Sequence, residues 1–234
     1  MNIIPAKEVT VISTNVTPTE MADIMFDEYL NTQTVYADII DVVIEFNNVD
    51  RLALFNIDGY TVDLDLTDMS TSTLVQSKTI DLALSGGGYQ TWLIEPMYIY
   101  ANAQLRIRIY KSGDTAKCGK CGHGLNSYIG TTIYDVTTGF QDYSIKDING
   151  FGYVYINEGF WAKTPSLTLE IDYDNIDNVY EDLISVRGVL AFFEGNEDDT
   201  GFELLRVYGF LDDWSINITN PAIATVNLSI QGAI

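Results

Sequence analysis

Hydrophobic and polar residues alternate strictly along several stretches of the chain. In YTVDLDLT (60–67), an apolar or aromatic side chain occupies every second position, and Thr or Asp fills the positions between. One apolar and one polar face are typical of antiparallel strands that pack on one side. The same period of two recurs in TIDLAL (79–84), LRIRI (105–109), LTLEI (167–171), WSINI (214–218) and TVNLSI (225–230).

Two further runs, YADIIDVVIEF (36–46) and RLALFNI (51–57), are more continuously apolar and predict strands that are buried more fully. Turn residues separate the predicted strands, as expected for antiparallel connections. They are Asp58-Gly59, Gly86–Gly88, Ser112-Gly113, Asn149-Gly150 and Asn220-Pro221. The Asn149-Gly150 pair divides DYSIKDI from FGYVYI and predicts a β-hairpin. This spacing favours a sandwich or jelly roll over a parallel sheet.

One segment, near 175–187, changes to a helical period. Apolar residues recur there three or four positions apart, at Ile176, Val179, Leu183 and Val186. Asp174 or Asn175 can cap the start, and Gly188 is suited to end the helix.

These elements predict an all-β, mainly antiparallel protein with two domains. Residues 1–113 are predicted to form an N-terminal β-sandwich or jelly-roll-like domain. Residues 114–234 are predicted to form a second β-rich, α+β domain that carries the helix, with the boundary at Ser112-Gly-Asp-Thr115. Residues 14–35 have no clear period and are interpreted as a short helix or an arm that docks on a neighbour.

The charge balance excludes some partners. The chain of 234 residues has 12 basic and 33 acidic residues, a formal charge of -21. Such a surface repels nucleic acid and anionic membranes, since both bind through clustered Lys and Arg. The 15 Tyr and 10 Phe indicate a packed chain rather than a disordered one. No secretory signal or membrane-spanning run is evident, which fits synthesis in a reducing cytosol.

The stretch AKCGKCGHG (116–124) contains both cysteines and the only histidine. A structural zinc site normally uses four ligands, and the chain offers three candidates: Cys118, Cys121 and His123. The C-x-x-C spacing also occurs in redox proteins, where the motif opens a helix, but Gly119, Gly122 and Gly124 disfavour a helix here. The preferred interpretation is a closely packed strand that opens the second domain, with the two thiols on opposite faces. Neither a catalytic residue nor a cofactor or metal site is therefore assigned.

Other chemical motifs are weak. The chain lacks a Gly-x-Ser-x-Gly elbow and a phosphate-binding glycine loop, and the acidic stretch at 172–183 departs from the EF-hand pattern. Exposed aromatic residues could form a sugar-binding face, although aromatic side chains in a sandwich more often lie in a core or an interface. The candidates are Tyr89, Trp92, Tyr98, Tyr100 and Trp161.

The order of segments resembles a family of structural proteins of tailed bacteriophages, encoded among the tail-tip and baseplate genes. The similarity covers most of residues 50–232. It rests on RLALFNIDGYTVDLDLTD, SKTIDL and YIYANAQLRIRIY; on AKCG with GTTIYDVTTGFQDYSIKD; on FWAKTPSLTLEIDYDNIDNVYEDLISVRGVLAFFEG; and on LLRVYGFLDDWSINITNPAIATVNLSIQG. The family retains the first Cys-Gly and has apolar residues at the positions of Cys121 and His123, so the resemblance implies no family-wide metal site.

The resemblance implies a structural role without enzyme activity or a cofactor. It predicts a tail, baseplate or head–tail collar component, which assembles in the host cytoplasm into a ring with itself and other virion proteins. Two alternatives remain open at this point. The first is a carbohydrate-binding module that attaches to host glycans, and the second is a hydrolase of surface glycans.

Overall fold

The computed structural model confirms an all-β, mainly antiparallel fold with one α-helix. It describes residues 1–16, 23–27, 32–82, 89–133, 136–148, 150–195, 205–218 and 221–233. The strands are β1 Asn2–Pro5, β2 Val11–Thr14, β3 Thr34–Glu45, β4 Arg51–Asp58, β5 Thr61–Asp68, β6 Thr73–Asp81, β7 Tyr89–Pro96, β8 Ala103–Cys118, β9 Lys120–Gly124, β10 Ser127–Tyr128, β11 Thr131–Thr132, β12 Thr137–Asp142, β13 Ile145–Ile148, β14 Val154–Asn157, β15 Trp161–Asp172, β16 Ala191–Glu194, β17 Arg206–Ile218 and β18 Ile223–Gly232. The helix α1 covers Ile176–Ser185, and 3₁₀ turns cover Ile24–Phe26 and Tyr173–Asn175.

The chain forms two compact units. The N-terminal unit contains residues 4–126, and the C-terminal unit contains residues 1–3 and 127–234. The sequence placed the boundary at 113/114, before AKCGKCGHG. The difference arises because β8 continues to Cys118 alongside β3 and β9 pairs with β4, so both strands complete the N-terminal unit. The first residues of β1, Asn2 and Ile3, belong to the other unit, because β1 lies between β10 and β16 in that unit's sheet.

The N-terminal unit is a β-sandwich. Its eight strands form one hydrogen-bonded sheet with two layers: one has the strand order β6-β5-β8-β3-β2, the other consists of β7, β4 and β9, and the two join where Asp58 of β4 pairs with Lys117 of β8. Inward side chains of both layers form one hydrophobic core, which includes Leu64 of β5, Ile107 of β8 and Leu54 of β4. The alternation predicted for β5 and β8 is confirmed, because every second residue over 62–66 and 105–109 is buried.

The C-terminal unit combines an eight-stranded sheet with α1. The strands follow the order β10-β1-β16-β17-β18-β15-β11, and β12 also pairs with β15. The helix buries Val179 and Leu183 in the core against alternate residues of β15 and β18, such as Leu169 and Val226. The predicted helix is thus confirmed, and Gly188 follows it with φ +71°. Asn175 occupies the N-cap position without a side-chain capping hydrogen bond.

Several predicted features lie wholly or partly outside the described residues. The glycine run 86–88 is outside, as are Leu84 of TIDLAL and the Asn of the two predicted turns at 149–150 and 220–221. In the unclassified stretch 14–35, the described part includes the 3₁₀ turn Ile24–Phe26, with Met25 buried in the N-terminal core. Within the described residues, no helix has the length and apolar character required to span a membrane.

Candidate assembly surface

The two cysteines lie in the core of the N-terminal unit rather than on opposite faces of a strand. Regular alternation would separate side chains three positions apart. The backbone is irregular here. Asn56 of β4 has φ +51°, and Gly119, which lies beside Asn56 in space, separates β8 from β9. The Gly119 amide donates to the Phe55 carbonyl, and a Cβ at Gly119 would lie 2.8 Å from that of Asn56. This kink shifts the alternation so that both Cys118 and Cys121 point inward.

Burial makes both thiols unreactive in the folded protein. Desolvation raises the pKa of Cys118 to about 12, partly offset by its contact with the Lys120 backbone. Desolvation likewise raises the pKa of Cys121 well above its ordinary value, and the neighbouring Cys118 adds to the effect. The two residues form no disulfide. Since the thiolate is the reactive form, this environment is that of structural cysteines and not of a redox pair.

His123 is also buried, with 4% of its surface exposed. Its Nε2 lies 3.0 Å from the Glu45 carbonyl oxygen, which can only accept, so Nε2 carries the proton. The ring centroids of His123 and Phe46 are 5.4 Å apart in an edge-to-face arrangement, and Nδ1 has no hydrogen-bond partner among the described residues. Burial is the main cause that lowers the pKa of His123 below 6.5, and the charge of Lys7 lowers it further. The ring is therefore neutral at pH 7.

These three residues do not form a ligand set. Across the part of the chain that the structure describes, no group of three or more His, Cys, Asp and Glu side chains is arranged to hold a metal ion. The glycines around them serve close packing instead. A Cβ at Gly124 would lie 2.2 Å from the Pro5 carbonyl oxygen, so only glycine fits there.

The aromatic candidates for sugar binding are divided between the two units. Tyr98 of the N-terminal unit is exposed, whereas Tyr100 packs partly against that unit's core. Trp161 belongs to the C-terminal unit, where it meets Phe140 edge to face with an interplanar angle of 80°. The side chains of the remaining two candidates, Tyr89 and Trp92, are outside the described residues.

A long β-hairpin extends from the edge of the C-terminal sheet. Its base is the pairing of β12 with the start of β15, which ends with Asp142 opposite Trp161. The two chains continue past this point, because the Tyr143 amide donates to the Phe160 carbonyl at 3.0 Å. They then pair as β13 and β14, from Ile145 opposite Asn157 to Ile148 opposite Val154. Residues 143–161 are called the arm below.

A one-residue offset marks where the arm leaves its base. The chain has two residues between Asp142 and Ile145 and three between Asn157 and Trp161, so the register slips by one. Gly159 lies at this slip, and a Cβ there would be 2.5 Å from the Tyr143 carbonyl oxygen. Its amide donates to Ser144 Oγ. The arm is therefore a specifically formed element, with a glycine where the two chains approach most closely.

The arm and its base expose an unusual amount of apolar surface. Eleven large hydrophobic side chains between residues 140 and 161 are 43% to 90% exposed. At roughly 100 Å² each, they present on the order of 1,000 Å² of mostly apolar surface, divided between the two sides of the hairpin and its base. They are Phe140, Tyr143, Ile145, Ile148, Phe151, Tyr153, Val154, Tyr155, Ile156, Phe160 and Trp161.

The arm has two different faces. Cross-strand pairing places Ile145, Asp147, Tyr155 and Asn157 on one face, called the aromatic face because Tyr153 follows the same alternation. The other face, called the aliphatic face, carries Lys146, Ile148, Val154 and Ile156. All residues of β13 and β14 are exposed, so neither face is packed on the described residues of the unit.

The sequence predicts this hairpin but not its exposure. One signal was present: DYSIKDINGFGYVYINEGFW has apolar residues at both odd and even positions, which an edge hairpin with one solvent-facing side does not need. In the N-terminal unit, the polar positions of β5 contrast with this pattern.

Comparison with known proteins gives little further information. No protein-family model and no curated protein matches the chain. Among solved structures, the lectin domain of lectinolysin complexed with Lewis B antigen aligns with 15% identity and a TM-score of 0.37, covering 51% of this chain and 92% of that chain. A histidine mutant of that lectin domain, complexed with Lewis b, gives 15% identity, a TM-score of 0.35 and coverage of 52% and 94%. Scores this low support no argument about fold or function.

Proposed function

We propose that this protein is a non-enzymatic structural subunit that assembles with copies of itself and with other proteins through the arm. The resemblance of its sequence to tail-tip and baseplate proteins leads us to propose a tailed-bacteriophage virion as the assembly, formed in the host cytoplasm. The observation that carries the assembly role is the apolar surface of the arm, on the order of 1,000 Å².

The size of this surface supports an interface. A standard specific protein–protein interface buries about 800 Å² on each partner. A two-stranded hairpin is also marginally stable in water by itself, and exposed strand edges invite pairing with other chains. In an isolated subunit, two exposed apolar faces are unfavourable because their side chains are in contact with water. Burial in an assembly removes them from water.

The residues of the AKCGKCGHG segment are suited to structure more than to chemistry. Cys118 and Cys121 are protonated and enclosed, and His123 is neutral and held between Phe46 and the Glu45 carbonyl. Such groups stabilise a core and have no access to a substrate. We therefore favour assembly over a hydrolase.

Carbohydrate binding is the alternative with a specific feature in its favour, the exposed pair Phe140 and Trp161. Sugar rings stack on flat aromatic faces, whereas these two rings stand at 80° to each other and form no shared platform. A glycan array with the purified protein would test this alternative. Binding that is lost in Trp161→Ala and kept in Tyr98→Ala would favour it over assembly.

Incorporation into particles tests the proposed role. In the arm-shortened variant, residues 145–157 are replaced by Asn-Gly, which joins the two chains at their base by a short turn. The matched control, Leu74→Thr with Tyr98→Thr, removes exposed apolar side chains from the N-terminal unit. We expect quantitative mass spectrometry of purified particles to find the control at the wild-type level and the arm-shortened variant reduced at least about tenfold.

Two outcomes would contradict the proposal. If the wild-type chain is missing from purified particles, the virion assignment fails. If the arm-shortened variant is incorporated like the wild type, the arm is not the assembly surface.

A further inference from the structure

We infer that the aliphatic face of the arm is the contact between two copies of this chain, whereas the aromatic face does not take part in that contact. This inference rests on the proposed function, and it names the partner and the side chains involved.

Two copies of a chain with a net charge of -21 repel each other over most of their surfaces. The scarce positive charges are largely used within the molecule, since most Lys and Arg side chains lie next to carboxylates of the same chain. A second copy therefore meets an acidic surface wherever it approaches outside a neutral region.

The arm is such a neutral region. Residues 143–161 contain one Lys, one Asp and one Glu, a net charge of -1. A basic or nucleic-acid partner finds no charge to recognise there. An apolar partner with little charge is favoured instead, and the arm of a second copy has these properties.

The two faces of the arm differ in their charges. Asp147 lies in the middle of the aromatic face, directly opposite Tyr155, and makes no ion pair with a described residue. Two-fold packing through that face would bring Asp147 close to its equivalent in the second copy. Within the paired residues of β13 and β14, the only charge on the aliphatic face is Lys146, and its Nζ lies 2.8 Å from Asp142 Oδ2. The aliphatic face is therefore the one on which two copies can meet without repulsion.

The side chains of the aliphatic face also fit a dry contact. Ile148, Val154 and Ile156 are 60% to 66% exposed and branched at Cβ, so they lose little rotamer freedom when they pack. Tyrosines on the opposite face retain hydroxyl groups that suit a hydrated surface or a different partner. In a two-fold contact each substitution occurs twice, which makes its effect large.

Adjacent positions on β14 provide a matched pair of variants. Val154→Thr with Ile156→Thr alters the aliphatic face, and Tyr153→Thr with Tyr155→Thr alters the aromatic face. Thr keeps the preference for a strand. Sedimentation velocity of the full chain over a concentration series measures self-association. We expect the aliphatic-face variant to raise the dissociation constant at least about 100-fold and the aromatic-face variant to change it less than about fivefold.

Cross-linking provides a second test that does not depend on weakening the arm. Since Cys118 and Cys121 are buried, a cysteine introduced on the arm is the accessible thiol. Ile156→Cys should yield a covalent dimer with a short bismaleimide, and Tyr155→Cys should remain monomeric on a denaturing gel.

The possible outcomes separate the two proposals. A wild-type chain that stays monomeric at about 100 μM, well above the concentrations at which stable dimers form, overturns the second-copy contact. Failure of the arm-shortened variant to enter particles would in that case still support assembly with another protein. Equal effects of both variant pairs, or preferential cross-linking through Tyr155→Cys, would overturn the assignment to the aliphatic face.

Discussion

Strand β5 and the arm are both β-structure with regular alternation, but the apolar side chains of β5 are buried and those of the arm are exposed. In β5, Val62, Leu64 and Leu66 are fully buried, and the positions between them hold carboxylates and threonines. In the arm, apolar residues occupy both faces of the hairpin and all are exposed. β5 has one apolar face and one layer to cover it. The arm has two apolar faces and no covering layer within the C-terminal unit.

An element with one apolar face and an element with two require different surroundings. A strand with a single apolar face is satisfied by the other layer of its own sandwich. The carboxylates on the polar side of β5 also have a counter-charge, because Arg108 of the neighbouring β8 lies against both Asp63 and Asp65. The arm has few charged groups on either side, so water is a poor environment for it. The difference indicates that β5 stabilises the fold, whereas the arm is available for contacts with other chains.

Truncation of one aliphatic residue in each region gives the largest expected contrast. Leu64→Ala removes a fully buried side chain and leaves a cavity in the sandwich core, so we expect the free energy of unfolding to fall by about 3–4 kcal/mol. Ile156→Ala removes a side chain that is 66% exposed and should cost less than about 1 kcal/mol. Urea unfolding followed by circular dichroism measures both. Similar losses for the two variants would mean that the arm packs on its own unit.

The polar side of β5 can be tested separately. Arg108→Met retains an unbranched apolar side chain but removes the charge, which leaves Asp63 and Asp65 two positions apart without compensation. We expect the free energy of unfolding to decrease by about 1–2 kcal/mol, since the Arg108 side chain is only 23% exposed. The control Arg106→Met breaks a pair with Asp41 on a residue that is half exposed, and should cost at most about 0.5 kcal/mol. Equal costs in urea unfolding would contradict the importance of partial burial.

His123 links the core of the N-terminal unit to pH. Its pKa in the folded protein is below 6.5, so as the pH falls below 6.5 the unfolded chain takes up a proton that the folded chain excludes. Stability therefore decreases with decreasing pH, by at most about 1.4 kcal/mol per pH unit, until the folded-state pKa is reached. His123→Gln keeps a donor for the Glu45 carbonyl and has no proton to gain. Urea unfolding at pH 7.5 and 5.5 should show a smaller loss for this variant than for the wild type, and equal losses would rule out His123 as the cause.

The same regions show what a sequence can predict. Alternation is sufficient to predict β5, β8, β15 and β18, because a strand with a single apolar face packs that face on the core of its own unit. Spacing of Ile176, Val179 and Leu183 was sufficient for α1. Both patterns are local, and the structure confirms them.

Non-local pairing accounts for the differences. The segment AKCGKCGHG contains nothing that identifies β4 as its partner, so the domain boundary was placed before it and not after it. Its cysteines point inward because of a kink that depends on the positive φ of Asn56, more than 60 residues away in sequence. The position of β1 next to β16 is equally distant. For the arm, the sequence predicted the hairpin, but periodicity does not show whether an apolar face is covered by the same chain or by another.

The smallest expected effect is also the sharpest test of the comparison. Replacing residues 145–157 by Asn-Gly removes β13 and β14 but leaves the β12–β15 pairing and the C-terminal core in place. Because the arm packs neither face on its own unit, we expect the free energy of unfolding, measured at a concentration where the wild type is dissociated, to change by less than about 1 kcal/mol. Deletion of β5 would remove three core side chains and should unfold the sandwich. A loss of more than about 2 kcal/mol on shortening the arm would show that it stabilises its own subunit, and the contrast with β5 would no longer hold.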